Sequence, residues 1–132
     1  MAIDYLMIGT NDMTRSRAFY DAVVRVLGGK FDMAYGEAAA CYSLRDGKRI
    51  WISRPYDQKP ATVSNGGMIG FNAGSEVAVN AAYAAAISHG GSDDGAPGPR
   101  PHYGPEFYGA YVRDPDGNKL CFMVNRTVAA NS

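Results

Sequence analysis

The sequence predicts an α+β domain in which one strand, helix, strand, strand, strand pattern is used twice. The apolar periodicity over residues 3–54 switches from strand to helix and back, and the pattern restarts after a polar connection at residues 56–65. The halves also superpose on paper. At an offset of 63, Ala18 meets Ala81, Tyr20 meets Tyr83, Ala22 meets Ala85 and Gly28 meets Gly91. At an offset of 70, Asp46-Gly47-Lys48-Arg49-Ile50-Trp51 meets Asp116-Gly117-Asn118-Lys119-Leu120-Cys121, and seven residues of extra loop account for the change.

Taken in order, Ile3 to Thr10 is a short apolar run, as in a buried strand. Asn11 or Asp12 caps the helix that follows, where Phe19, Tyr20, Val23, Val24 and Leu27 mark one face and Gly28-Gly29 ends it. Strands are expected at Phe31–Ala34, Ala39–Leu44 and Arg49–Arg54, the last two joined by the Asp46-Gly47 hairpin signal. Module one then covers about 1–55, a linker 56–66 and module two about 67–126, with a frayed tail at 127–132. In module two a strand is expected at Gly67–Ala73 and a helix at Val77–Ile87, capped by Ser75 and rich in Ala. Ser92–Pro105 reads as loop with a short strand in it. Strands at Phe107–Arg113 and Lys119–Val124 flank the turn Asp114-Pro115-Asp116-Gly117, which is assigned structure and no chemistry. Phe19, Tyr20 and Tyr83 are read as helix-to-sheet packing.

At 132 residues with 46% hydrophobic and 20% charged side chains, the chain can bury a core without disulfides or a structural metal. Thirteen cations balance thirteen anions and no basic stripe is present, so a nucleic-acid partner is not expected. No apolar run reaches the roughly 20 residues that cross a bilayer, and no leader is apparent, so a cytoplasmic protein is expected, with Cys41 and Cys121 as free thiols. Nucleotide fingerprints and a nucleophile elbow are absent: Ser16, Ser43 and Ser53 lack the flanking glycines.

Ile3-Asp4, Asn11-Asp12 with Ser16 and Phe19-Tyr20, and the run from Tyr111 to Asn118 together resemble the glyoxalase, bleomycin-resistance and extradiol-dioxygenase (vicinal oxygen chelate) superfamily over nearly the whole chain. The resemblance implies two βαβββ modules related by an internal pseudo-twofold, with curved mixed sheets around a cleft that is often completed in a homodimer. It also implies metal-ligand positions on the first and last strands of each module, here Tyr5, Trp51, Met68 and Cys121. Indole nitrogen has no lone pair to give, a thioether is soft and a phenol is weakly acidic, so only Cys121 is a good ligand. No metal or other cofactor is therefore expected. His89 falls at a helix end, where the dipole favours it, and His102 lies in a Gly/Pro-rich loop.

Aromatic and apolar side chains at ligand positions suit a small-molecule pocket, or else fill the cavity. The loop Arg100 to Tyr108 is the expected lid: Arg100 can pair an anion, His102 titrates near neutrality, and Tyr103 and Tyr108 can stack. Arg45 and Arg54 are read as surface charges. The leading expectation is a protein that binds a small organic molecule through Tyr5, Trp51, Met68, Cys121, Arg100, Tyr103 and Tyr108. The alternative is a lyase or dioxygenase-type enzyme resembling lactoylglutathione lyase, with an atypical metal site or metal-free through His102. A third reading is an interaction module acting as a homodimer.

Overall fold

The structure is a computed structural model that describes residues 2–126; the expected frayed tail lies outside the described residues. The order is β1 (Tyr5–Gly9), α1 (Met13–Val26), β2 (Lys30–Tyr35), β3 (Ala39–Ser43), β4 (Arg49–Ser53), β5 (Ile69–Asn72), α2 (Glu76–Ser88), β6 (Ser92–Pro99), a 3₁₀ turn at Pro101–Tyr103, β7 (Phe107–Arg113) and β8 (Lys119–Asn125). One sheet, A, has the order β1-β4-β3-β2 and the other, B, the order β5-β8-β7-β6. In each, the first strand runs parallel to the last and the other pairs are antiparallel. The βαβββ pattern is thus repeated, as expected.

The caps form as the sequence indicates. Asp12, not Asn11, caps α1 by accepting from the Arg15 amide at 3.0 Å, and Ser75 caps α2 through the Ala78 amide at 3.1 Å. β6 is longer than the short strand expected within Ser92–Pro105. Gly95, Pro97, Gly98 and Pro99 mask an eight-residue strand that survives them because it is the edge strand of sheet B, with two register shifts. β5 is shorter than expected and begins after Met68.

Alternation decides which side of each sheet is buried. Tyr42, Ile50 and Ile52 of sheet A, and Phe71, Val112, Leu120 and Phe122 of sheet B, join Phe19, Tyr20, Val23 and Val24 of α1 in one core. The α2 residues Val79, Ala82 and Ala86 complete it, and α2 packs against α1 across the two modules. Cys41 and Cys121 are both free and buried.

Two clasps, from the equivalent turns of the two modules, tie the modules together. In the first, Asp116 accepts from the Thr10 hydroxyl at 2.6 Å and the Asn11 amide at 2.9 Å, while Asn118 Nδ2 donates to the Gly9 carbonyl at 3.1 Å. In the second, Arg45 crosses from the β3–β4 turn to donate to the Asn72 carbonyl at 3.4 Å, so this exposed cation is more than the surface charge expected.

Close backbone approach fixes the exit from α2. A Cβ on Gly91 would stand 2.7 Å from the Ala86 carbonyl oxygen and 2.7 Å from the Phe19 ring, whereas one on Gly70 would meet nothing within 4 Å. Gly91→Ala is expected to cost about 2–3 kcal/mol in urea unfolding and Gly70→Ala less than about 0.5 kcal/mol. Equal losses from the two would contradict this packing.

Candidate functional site

Because the helices cover the inner faces, each sheet is left with an outer face. On sheet A the register sets out that face in rows. Tyr5 lies beside Arg49 and Ser43; Met7 beside Trp51, Cys41 and Met33; Gly9 beside Ser53, Ala39 and Tyr35. Tyr5, Met7 and Tyr35 are 58%, 57% and 64% exposed, unusual for three large side chains sharing one sheet face. Tyr35 and Trp51 lie parallel, within 1°, with ring centres 6.1 Å apart. Around them is a hollow of about 750 Å³ lined by Tyr5, Met7, Tyr35, Arg49 and Trp51, among others. A second hollow of about 1010 Å³ shares Met7 and runs on past Ser53 and Arg54 to the linker residues Tyr56 and Lys59.

The floor beside Trp51 is apolar, and the polar groups sit at one end. Cys41 is fully covered between its register neighbours Trp51 and Met33, and burial pushes its thiol above the usual range. Asp32 accepts a short hydrogen bond from Ser43 and lies 3.7 Å from Arg49.

On sheet B the outer face carries Gly70, Cys121, Tyr111 and Gly95 in one row and Lys119 with Arg113 in the next. Cys121 is buried against Tyr111, and its thiol is pushed up by desolvation, against the pull of the Tyr111 hydrogen bond and of Arg100 and Lys119. Tyr111 is raised as well, chiefly by burial.

The expected site residues divide accordingly. Tyr5 and Trp51 share the sheet A hollow, while Cys121 lies on the outer face of sheet B and Met68, half-exposed, immediately precedes β5. Arg100 reaches the sheet B face, its guanidinium carbon 5.5 Å from the Tyr111 ring centre. His102 and Tyr103 sit in the exposed 3₁₀ turn, rings 4.1 Å apart, with Tyr103 edge-on to Phe107. Tyr108 turns to the helix side, where its hydroxyl donates to Asn80 of α2 at 2.7 Å. His89 Nδ1 donates to the Ala85 carbonyl, 2.8 Å away, as a helix-end residue.

Sequence reasoning missed Met7, Tyr35, Arg49, Tyr111 and Lys119. Period two would have found Met7 and Arg49 from Tyr5 and Trp51, and counting outward from the Asp116 turn would have paired Tyr111 with Cys121. Tyr35 needed the pairing of β2 with β3.

Among the described residues, no three His, Cys, Asp or Glu side chains are grouped so as to hold a metal ion, and no helix is long and apolar enough to cross a membrane.

Residues 2–122 match the family model described as Glyoxalase/Bleomycin resistance protein/Dioxygenase superfamily. The chain is similar to a glyoxalase/bleomycin resistance protein from Albidiferax ferrireducens T118, at 36% identity and a TM-score of 0.83, covering 92% of this chain and 96% of that one. A glyoxalase-related enzyme from Fulvimarina pelagi shares the fold at 18% identity and a TM-score of 0.75, over 95% of this chain and 88% of that one. A glyoxalase/bleomycin resistance protein/dioxygenase family enzyme from Burkholderia phytofirmans PsJN does so at 18% and 0.72, over 95% and 99%. No protein of curated function matches.

Proposed function

Since the chain belongs to the glyoxalase/bleomycin resistance protein/dioxygenase superfamily, we propose that it uses the family's cleft to bind a small planar organic molecule without a metal ion. The observation that carries this reading is the outer face of sheet A, where the half-buried Trp51 ring lies parallel to the exposed Tyr35 ring, beside exposed Tyr5 and Met7, around a hollow of ligand size. The donor set at the family's ligand positions does not suit a divalent ion. Trp51 has no lone pair to give, Met68 offers a soft thioether and Tyr5 a weakly acidic phenol, which leaves Cys121 as the one good ligand of the four. No step is routed through a metal.

In this reading a second copy closes the cleft. β1 and β5 are both edge strands, and exposed apolar side chains gather along them: Ile3, Leu6 and Met7 at one, Met68 at the other. The hollow on sheet A is lined by module-one residues alone, which leaves room for sheet B of a partner to form its other wall in this reading. Homodimer and cleft are then one assembly.

Trp51 is the chain's single tryptophan and reports directly on the hollow. Titration with 2-naphthamide or 2-naphthoate is expected to quench its emission saturably. The Trp51→Ala chain, followed by thermal shift, is expected to bind at least about tenfold more weakly, the equivalent of about 1.4 kcal/mol of lost stacking and burial. Emission unmoved by either compound at millimolar concentration would overturn the reading.

A further inference from the structure

We propose that the outer face of sheet B is a receptor for an organic anion, centred on Arg100, Tyr111 and Lys119, and that the cleft ligand places a carboxylate or phosphate group there. The second half rests on the cleft reading above.

The first observation is how Arg100 is held. Its Nη1 donates to the Gly98 and Pro99 carbonyls at 2.9 and 3.3 Å, and its Nη2 to the Ala96 carbonyl at 2.7 Å. A Cβ on Gly95 would stand 3.3 Å from Nη2 and one on Gly98 3.3 Å from Nη1, so the glycines of β6 leave the trough in which the guanidinium lies. Carbonyl oxygens orient the cation without neutralising it. Among the described residues no carboxylate pairs with Arg100.

The charge around it is unbalanced in the same sense. Arg113 and Lys119 share one carboxylate, Asp94, at 3.0 and 3.3 Å. Three cations therefore face one anion on this surface. The Lys119 ammonium and the Arg100 guanidinium both lie within 5.5 Å of the same Tyr111 ring centre, so an acid group placed at the edge of that ring meets both. An oriented, unneutralised guanidinium is a ready partner for carboxylate or phosphate oxygens. Sheet A differs, because Arg49 there has Asp32 at 3.7 Å and Asp4 shares its hollow. The two faces thus suit the two ends of one molecule, rings on sheet A and acid on sheet B.

The test compares 2-naphthoate and 1-naphthyl phosphate with neutral 2-naphthamide, read by Trp51 quenching and by amide shifts in ¹⁵N spectra of the full chain. Both acids are expected to bind at least tenfold more tightly than the amide and to shift the amides of residues 100, 111 and 119. Lys119→Gln is expected to weaken the acids three- to tenfold and leave the amide compound unchanged. Asp94→Asn, which frees Arg113 and Lys119, is expected to tighten the acids several-fold, a gain that a folding defect cannot imitate. Equal affinity for acids and amide, or acid binding unchanged in Asp94→Asn, would overturn the anion receptor while leaving the cleft reading intact. If no compound quenches Trp51, the cleft reading fails. Acid-specific shifts on sheet B would then still support the receptor itself, and their absence would overturn it too.

Discussion

Asp114→Ala is expected to cost about 3–5 kcal/mol of stability, because one buried carboxylate organises the join between the modules. Asp114 is 3% exposed, yet four donors converge on it: the Tyr20 hydroxyl at 2.6 Å, the Asn118 side-chain amide at 2.9 Å, and the backbone amides of Asp116 and Asn118, each at 2.9 Å. Truncation leaves the fully buried Tyr20 hydroxyl and the turn amides without an acceptor, at about 1–3 kcal/mol for each group that water cannot reach. It also loosens Asn118 and Asp116, which hold Gly9, Thr10 and Asn11 of module one. Urea unfolding measures the loss, and a change below about 1 kcal/mol would contradict this account.

The same group gives a pH signature. Desolvation lifts the Asp114 carboxyl above the usual carboxylate range, more than its hydrogen bonds from Tyr20, Asn118 and Asp116 lower it. The folded chain therefore holds this proton more tightly than the unfolded chain. The contribution is full below the unfolded value of about 3.9 and declines as pH rises through the raised folded value. The gap in stability between the natural chain and Asp114→Ala is expected to be larger at pH 4 than at pH 7.5.

The second large effect concerns assembly. Gel filtration and sedimentation at two concentrations are expected to give about twice the chain mass of 14.1 kDa. Leu6→Lys with Met68→Lys is expected to weaken the dimer at least about 100-fold, roughly 2.7 kcal/mol, and to reduce naphthoate quenching of Trp51 in parallel. Both residues are exposed in the single chain, 40% and 52%, so its own fold loses little. Circular dichroism and Tm check that. A chain monomeric at every concentration with undiminished quenching would contradict the shared cleft.

Local chemistry made most of the fold legible. The caps at Asp12 and Ser75 and the hairpins at Asp46-Gly47 and Asp116-Gly117 each depend on contacts within a few residues, so the sequence reports them directly. The full length of β6 was hidden because its glycines and prolines signal a loop, and only its place at a sheet edge makes an eight-residue strand of them tolerable. Of the site, Tyr5 and Trp51 were legible from strand position. The Tyr35 ring that stacks on Trp51 comes from a different strand, and nothing local in residues 30–35 announces it.

The sequence by itself determined the duplicated βαβββ order and the core face of α1, since these follow from periodicity and turn chemistry. Only the tertiary structure decided that the inner faces and both helices share one core while Tyr5 and Trp51 line an outward hollow. It alone laid Arg100 across Gly95 and Gly98 beside Tyr111. The physical reason is range: caps and hairpins are settled by neighbours in the chain, whereas which faces meet, and which charges go unanswered, depend on how distant strands and helices pack.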